Sequence, residues 1–478
     1  MIDRFLLRDV TAESGYMNTY DFTSILDRHG KDACAVDGLT TKRWGIEPDP
    51  PKAGFDFIPM WVADMNFPTC PGVTDAIIKR AQHPAFGYYN PSDTYFDAII
   101  AWRQGSEYDS QQAQDSGFLT AQKQAAEIVT GSAQADGVRA CKEQTDGVRT
   151  GQAQNDRPVQ NAEFCPHAHL RREHIGYENG VHGFLTSAVR VLTEPGESIL
   201  LHSPNYVGFR SDTTSQGRRC VFSPLRLDEN NVWRMDLEDM ARRIEENKIR
   251  LMIFCSPQNP SGRVWERAEL EALMELMEAY HMTVISDEIW ADLVFSGHTH
   301  IPLQDISPYA REHVLAAYAP SKTFNIAGLI GSYHIIYNDE LQERVTREGS
   351  LTNYNEMNVL SMHALIGGYS AQGREWVGEL NRTLEGNAGF AEAYIREHFP
   401  GVSAAMPQGT YMMWLDLKEY LDRSGRTLDE VLHAGWDVGV GWQDGRQFEG
   451  PANIRLNLAS PRSRIEEAFG RMKRYIFC

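Results

Sequence analysis

Short apolar runs alternate with amphipathic segments between about Pro59 and Tyr337. The runs "SILLHS", "RLMIFCS", "MTVISDE", "VLAAYAP" and "GSYHIIY" are rich in β-branched and aromatic residues, which predicts buried strands. Between them, "DLEDMARRIEEN" and "ERAELEALMELMEAYH" repeat apolar positions at three- and four-residue spacing, the period at which side chains share one helix face. Strands apolar throughout and separated by helices predict an α/β fold with a mostly parallel central sheet sandwiched by helices. After about Leu341 the helices lengthen and strands become few, "TYMMWLDL" and "NIRLNLA" among them. A smaller α+β domain is therefore expected over 341–478, a large α/β domain over 51–340, and residues 1–50 are expected to join the smaller one.

One segment breaks this rhythm. From Gln104 to about Pro166 the chain is rich in Gln, Ala, Ser and Gly, repeats "DGVR" at positions 136 and 146, and has little apolar periodicity. Such a composition buries little surface, and long irregular connections are uncommon inside compact domains. It reads as an insertion, flexible or loosely packed. Its end, "CPHAHLRREH", gathers Cys165, His167, His169 and His174, but their spacing fits no standard zinc framework and no metal is expected.

The 478 residues, 42% of them hydrophobic, suffice for a large core and two unequal domains. A formal net charge of -19 argues against nucleic acid or an anionic membrane as partner, and for a small-molecule ligand. Cys34, Cys70, Cys141, Cys165, Cys220, Cys255 and Cys478 form no CxxC pair, and this scattered odd set suits free thiols in a reducing compartment. The opening "MIDRFLLRDV" is charged at Asp3, Arg4, Arg8 and Asp9, with no apolar core of signal-peptide length. No run approaches the roughly 20 apolar residues of a membrane span, so a cytoplasmic protein is expected.

The stretch "YAPSKTFNIAG" sets Lys322 among small and apolar residues. An isolated lysine is ordinarily a solvated surface charge, but an amine attacks a carbonyl only when unprotonated. Its pKa of about 10.4 must then fall by some three units, about 4 kcal/mol, through burial or covalent conversion. Such a lysine suits pyridoxal 5'-phosphate (PLP), which needs an anion for its ring nitrogen, a donor for its phenolic oxygen, an aromatic lid, a phosphate cradle and a cation for the substrate carboxylate.

Candidates for each part stand along the chain. Asp287 closes the strand "TVIS", where open α/β sheets carry ligand-binding groups; it suits the ring nitrogen, or else it caps the next helix. Asn259 in "PQNPSG" can donate its amide to the phenolic oxygen, with Pro260 and Gly262 fixing the turn, although Asn-Pro-x-Gly is also simply a good turn. "GYENGVHGF" sets Gly180 just before a helix, whose N-terminus suits a phosphate. Tyr206 in "HSPNYVGF" follows another strand end and can stack on a ring, or is an ordinary loop tyrosine. Arg455, a charge inside the apolar "NIRLNLA", suits a bidentate carboxylate clamp or an edge strand.

In this order the set resembles the fold-type I PLP enzymes of aminotransferase class I/II, over nearly all of the chain outside 104–166. Within that superfamily, "DFTSILDRHG", "MWVADMNFPTCP", "FGYYNP", "SDEIWADL" and "SKTFNIAGLIGSYHI" resemble the MalY/PatB-type C–S lyases, also called cystathionine β-lyases. The resemblance implies that Lys322 bonds the cofactor and shuttles the substrate's α-proton, Asp287 pairs the ring nitrogen, Asn259 contacts the phenolic oxygen and Arg455 holds the α-carboxylate. It further implies Tyr206 as the stacking aromatic, the backbone of Gly180 and Val181 as a phosphate site, and Tyr88 reaching a phosphate in a neighbouring subunit, hence a homodimer. Three positions depart from the pattern: Trp290 and Ile330 stand where typical aminotransferases have a tyrosine and a phosphate-binding arginine, and Ala319 where many relatives have serine. Ser321 then becomes the candidate phosphate hydroxyl, and Trp290 can offer its indole N–H to the ring oxygen.

The activity so implied is β-elimination on cystathionine or a cysteine S-conjugate, giving thiol, pyruvate and ammonia. Transamination by the same residues is the alternative, and a regulatory or binding protein that keeps the fold and cofactor is a third. No basic helix-turn-helix segment precedes the enzyme-like region, so direct DNA binding is not expected.

Overall fold

The computed structural model describes residues 19–42, 45, 47–105, 167–351 and 355–478. From position 106 the insertion lies outside the described residues, as do Cys165 of the candidate metal set and the first 18 residues of the N-terminal segment.

The central sheet has seven strands: β1 (Ile175–Glu178), β2 (Ser198–Ser203), β3 (Arg219–Pro224), β4 (Leu251–Cys255), β5 (Thr283–Asp287), β6 (Val314–Tyr318) and β7 (Ser332–Ile335), in the order β1-β7-β6-β5-β4-β2-β3. Strands β2 to β6 pair in parallel, and β7 is antiparallel to both its neighbours, β1 and β6. The mostly parallel sheet expected from the sequence is thus present.

The apolar runs read as continuous because both faces of these strands are covered. Ile199, Leu201, Leu251, Ile253, Ile285 and Leu315 belong to one core with Phe184, Leu185 and Ala188 of the helix Gly180–Leu192. Their neighbours Leu200, Met252, Phe254, Val284 and Val314 belong to a second core on the opposite face, as the two-residue period of a strand requires. That second face is closed by the helices Leu237–Asn247 and Arg267–Ala279, which bury Met240 and Ile244, and Leu270, Leu273, Met274 and Met277. Each such side chain, truncated to alanine, is worth about 2–5 kcal/mol. Asp236 caps the first of these helices by accepting from the Asp239 N–H at 3.0 Å.

A smaller antiparallel sheet is made by β8 (Ser403–Ala404), β9 (Met412–Asp416), β10 (Gln443–Asp444) and β11 (Asn453–Asn457), in the order β8-β9-β11-β10. Arg455 therefore sits on an interior strand, which removes the edge-strand reading. No helix among the described residues is long and apolar enough to cross a membrane.

Because β1 runs the same way as β2 to β6, the carboxyl ends of β1, β2, β4, β5 and β6 share one edge of the large sheet. The segments that follow them, around Gly180, Tyr206, Asn259, Asp287 and Lys322, converge there, as ligand sites in open α/β sheets do.

The two ends of the insertion also meet. Gln104 donates its side-chain amide to the His167 carbonyl at 3.1 Å, and the His167 N–H donates to Asp305 at 2.7 Å. The buried His167 ring lies within 3.0 Å of the Tyr337 hydroxyl and 2.9 Å of the Tyr318 hydroxyl, and burial drives its pKa down to about 3. It is a neutral, hydrogen-bonded histidine. His174 accepts from the Arg171 N–H at 3.1 Å, and no group of three or more His, Cys, Asp or Glu among the described residues could hold a metal ion.

With that neck closed by its own hydrogen bonds, replacing residues 106–164 by a short polar linker is expected to leave the Tm equal or higher, since closure entropy favours a shorter connection by about 0.6 kcal/mol per halving of length. Thermal unfolding and cofactor titration of the deletion variant check this. A lower Tm, or lost cofactor, would show that the segment contributes to the core.

Candidate active site

A cavity of about 320 Å³ opens at the carboxyl edge of the large sheet, lined by Gly180, Val181, Tyr206, Asn259, Asp287, Trp290, Ser321 and Lys322 among others. Lys322 follows β6 on the short helix Pro320–Thr323. Its Nζ donates to the Ala63 carbonyl at 2.8 Å and lies 5.9 Å from the Trp290 ring centre. Burial lowers its pKa to about 8; Arg455 pushes the same way, while Asp64 and Asp287 oppose. An amine so placed is unprotonated often enough near neutral pH to act as nucleophile or base.

Asp287, the last residue of β5, is 4% exposed and accepts from the Ile289 N–H at 3.1 Å. It closes a turn, and no helix follows, so the helix-cap reading falls away. Burial raises its pKa to about 6, with His182 and Lys322 pulling the other way. Such a carboxylate gains by meeting a protonated ring nitrogen.

Arg455 is buried, donating from Nη1 to Asn259 at 3.1 Å and from Nη2 to the Trp61 carbonyl at 2.9 Å and to Gln443. Its guanidinium stacks 4.4 Å from the Phe448 ring centre. Among the described residues no carboxylate pairs with it, its Nε lacks a partner, and burial pushes its pKa down to about 10. A buried cation left this way is costly unless an anionic ligand completes it. Asn259 reaches the cavity because its turn is forced tight. Gly262 has φ +70°, and a Cβ there would lie 2.4 Å from Pro407 Cβ.

The helix Gly180–Leu192 begins at the cavity wall, so the positive end of its dipole and the side of Ser321 offer an anion site. Ala319 and Ile330 line the same cavity and bring neither hydroxyl nor cation. Trp290 is buried edge-on against Tyr411, ring centres 4.7 Å apart. Two expected residues are not on the cavity lining: Arg455, which stands behind Asn259 and bonds to it, and Tyr88, which is fully exposed.

Two features escaped the sequence reading. His182 lines the cavity beside Tyr206; its only signal was a polar residue in the first turn of an apolar helix. The strap Trp61–Met65 is the other, its carbonyls taken by distant donors: Arg455 on Trp61, Asn457 on Val62 and Asp64, Lys322 and Tyr411 on Ala63, and Asn325 on Met65. The cavity thus combines a deprotonable lysine, a carboxyl seeking a cation and a helix N-terminus, with an arginine lacking an anion bonded to its Asn259 wall. That donor set fits PLP together with an amino-acid carboxylate.

Residues 160–472 match the family model described as aminotransferase class I and II. The chain is 28% identical over 425 residues to cystathionine beta-lyase PatB of Bacillus subtilis (strain 168), covering 87% of this chain and 92% of that protein. It is 26% identical over 453 residues to protein MalY of Escherichia coli (strain K12), covering 94% and 96%. A PLP-bound structure from Clostridium difficile 630, provisionally named an aminotransferase, aligns at TM-score 0.75 and 27% identity over 95% of this chain and 99% of that one.

The shift of Lys322 carries a stability consequence. Its folded pKa of about 8 lies below the ordinary 10.5, so the unfolded chain binds more protons between those values and the cofactor-free fold gains stability as pH rises through that window. Lys322→Met removes the buried charge. It is expected to be more stable than the parent at pH 7, with the gap narrowing as pH approaches 10, by urea unfolding of the cofactor-free proteins. A pH-independent gap, or a less stable variant at pH 7, would contradict the burial of this amine.

Proposed function

We propose, because the chain belongs to the aminotransferase class I and II family of PLP-dependent enzymes, that it catalyses β-elimination on cystathionine or a cysteine S-conjugate, releasing thiol, pyruvate and ammonia. The observation that carries the reading is one cavity lined by Lys322 and Asp287 with Arg455 hydrogen-bonded to its Asn259, in a chain 28% identical to a cystathionine beta-lyase.

PLP, when bound, supplies a cationic ring that accepts the negative charge developing at the substrate's α-carbon. The residues do the rest. Arg455 takes the α-carboxylate, which supplies the anion its buried guanidinium lacks. Lys322 holds the cofactor before substrate arrives and then, as a free amine, removes the α-proton; a pKa of about 8 suits a base working near neutral pH. Asp287 keeps the ring nitrogen protonated, while Asn259 and the Trp290 indole N–H address the phenolic oxygen. Tyr206 covers one ring face, and the first turn at Gly180 and Val181, with Ser321, holds the phosphate. In this proposal Arg455 comes from a smaller domain (341–478, joined by 1–50) and the other groups from a larger one (51–340). The working unit is a cytoplasmic homodimer in which Tyr88 of one subunit reaches the other's phosphate; the full exposure of Tyr88, with Phe86 at 55% beside it, supports that part.

Elimination and transamination share the loss of the α-proton to Lys322. They part afterwards: in elimination the Cβ–S bond breaks, thiolate leaves and the three-carbon remainder is hydrolysed to pyruvate and ammonia, whereas transamination needs a keto acid as second substrate.

Purified protein given a cysteine thioether is expected to release pyruvate, ammonia and thiol continuously with no keto acid present. Turnover that halts after one equivalent per site and resumes on adding a keto acid would make the protein an aminotransferase. Borohydride reduction followed by peptide mapping is expected to fix the cofactor on Lys322, and Lys322→Ala to lose activity. Label on another lysine, or full activity in Lys322→Ala, would end the assignment.

A further inference from the structure

His182 has no part in the roles assigned above, yet it is built into the cavity wall with care. It enters from the first turn of the helix Gly180–Leu192. Its Nε2 lies 3.1 Å from the Tyr206 hydroxyl, and its Nδ1 lies 2.6 Å from a carboxylate oxygen of Asp212. Both partners belong to another element, Tyr206 standing just before the helix Val207–Thr214 and Asp212 within it. The bridge therefore ties the element beneath the phosphate site to the one that carries the aromatic lid.

Packing around the bridge is close. A Cβ on Gly208 would come within 2.3 Å of His182 Cε1 and 2.5 Å of Tyr206 Cε1, so the two rings can meet only because position 208 has no side chain. The Tyr206 ring is held by His182 at a centre distance of 5.6 Å and an angle of 48°, and by Phe209 edge-on at 5.6 Å. The Asp212 side chain is 15% exposed and that of His182 53%, which makes the carboxylate the fixed end and the imidazole the arm. The bond to Asp212 also favours the charged form of His182 and outweighs its burial, with Asp287 adding to this and Lys322 opposing it. As an imidazolium His182 donates at both nitrogens, and the Tyr206 hydroxyl keeps its own proton to offer elsewhere.

We propose that Asp212 and His182 form a positioning relay that fixes the Tyr206 ring, through its hydroxyl, against the face of the bound cofactor. The relay rests on the reading that this cavity holds PLP beneath Tyr206. A ring already locked in place loses no rotamer freedom when it stacks, so the relay acts on how tightly and in what orientation the cofactor is held, while Lys322 performs the proton transfer.

The test is a double-mutant cycle on the holoenzyme with Tyr206→Phe, His182→Ala and the pair. The readouts are the rate of PLP release into a trapping solution and the induced circular dichroism of the bound PLP. Each single change is expected to speed release roughly tenfold, the size of a lost charge-assisted hydrogen bond, and to shrink the induced signal. The double variant is expected to be no worse than either single, since His182 acts only through the Tyr206 hydroxyl. His182→Gln, which keeps a donor, is expected to restore part of the loss. Multiplicative effects in the double variant, or release unchanged in His182→Ala, would overturn the relay. Should His182→Ala not fold, Asp212→Asn in place of His182→Ala completes the same cycle. Borohydride labelling separates the two levels: label missing from Lys322 in the parent defeats the cavity reading, whereas label present with a multiplicative cycle defeats only the relay.

Discussion

Three ionisable groups, Lys322, Asp287 and Arg455, are withdrawn from water at the edge of one sheet, and much of the molecule serves to keep them there. Burial is the largest cause of each shift, the amine lowered to about 8, the carboxyl raised to about 6 and the guanidinium lowered to about 10. Among the described residues none of the three stands in a salt bridge, as a structural ion pair would; their hydrogen-bond supports are carbonyls and amides, namely Ala63 for Lys322 and Asn259, Trp61 and Gln443 for Arg455. Charges held by neutral partners destabilise a fold, and the two apolar layers flanking the parallel sheet offset that cost. Strain of this kind is what marks a site built for a ligand.

The strap Trp61–Met65 carries this arrangement between the two sheets. Its carbonyls accept from Lys322 and Asn325, which follow the large sheet, and from Tyr411, Arg455 and Asn457 around the smaller one. Ala63 alone takes both the Lys322 amine and the Tyr411 hydroxyl, at 2.8 and 2.9 Å. The position of the amine thus depends on both sheets at once. Displacing the strap would unseat Lys322 and Arg455 together.

The strands were plain in the sequence because burial on both faces writes an unbroken apolar run: "SILLHS" is the strand Ser198–Ser203 to the residue. The helices were plain because a single buried stripe writes a period near 3.6, as with Leu270, Leu273, Met274 and Met277. Asp287, Asn259, Tyr206 and Lys322 were legible as candidates for the same reason, each standing at or just past a readable strand end. Arg455 left an alternative open, since a lone charge in an apolar strand reads alike at an edge or in the interior, and only the pairing of β11 with both β9 and β10 decides it. The strap and His182 were not legible. A carbonyl's acceptance of a donor hundreds of positions away leaves no trace in local composition, and the His182–Asp212 contact crosses 30 positions between two helices.

The departures at Ile330 and Ala319 bear on the electrostatics of the whole cavity. Both line it, and neither offers a cation or a hydroxyl. In the proposed reading a phosphate there would be met by the start of the helix Gly180–Leu192, by its dipole and by Ser321, all uncharged donors, whose hold on an anion is weaker than that of an arginine. An arginine at 330 would also be a second like charge on the cavity wall with Lys322, lowering the amine further. With isoleucine there, the depression of Lys322 comes from burial and Arg455, against the opposing pull of Asp64 and Asp287. In that reading phosphate retention would fall to the placing of neutral donors more than to charge.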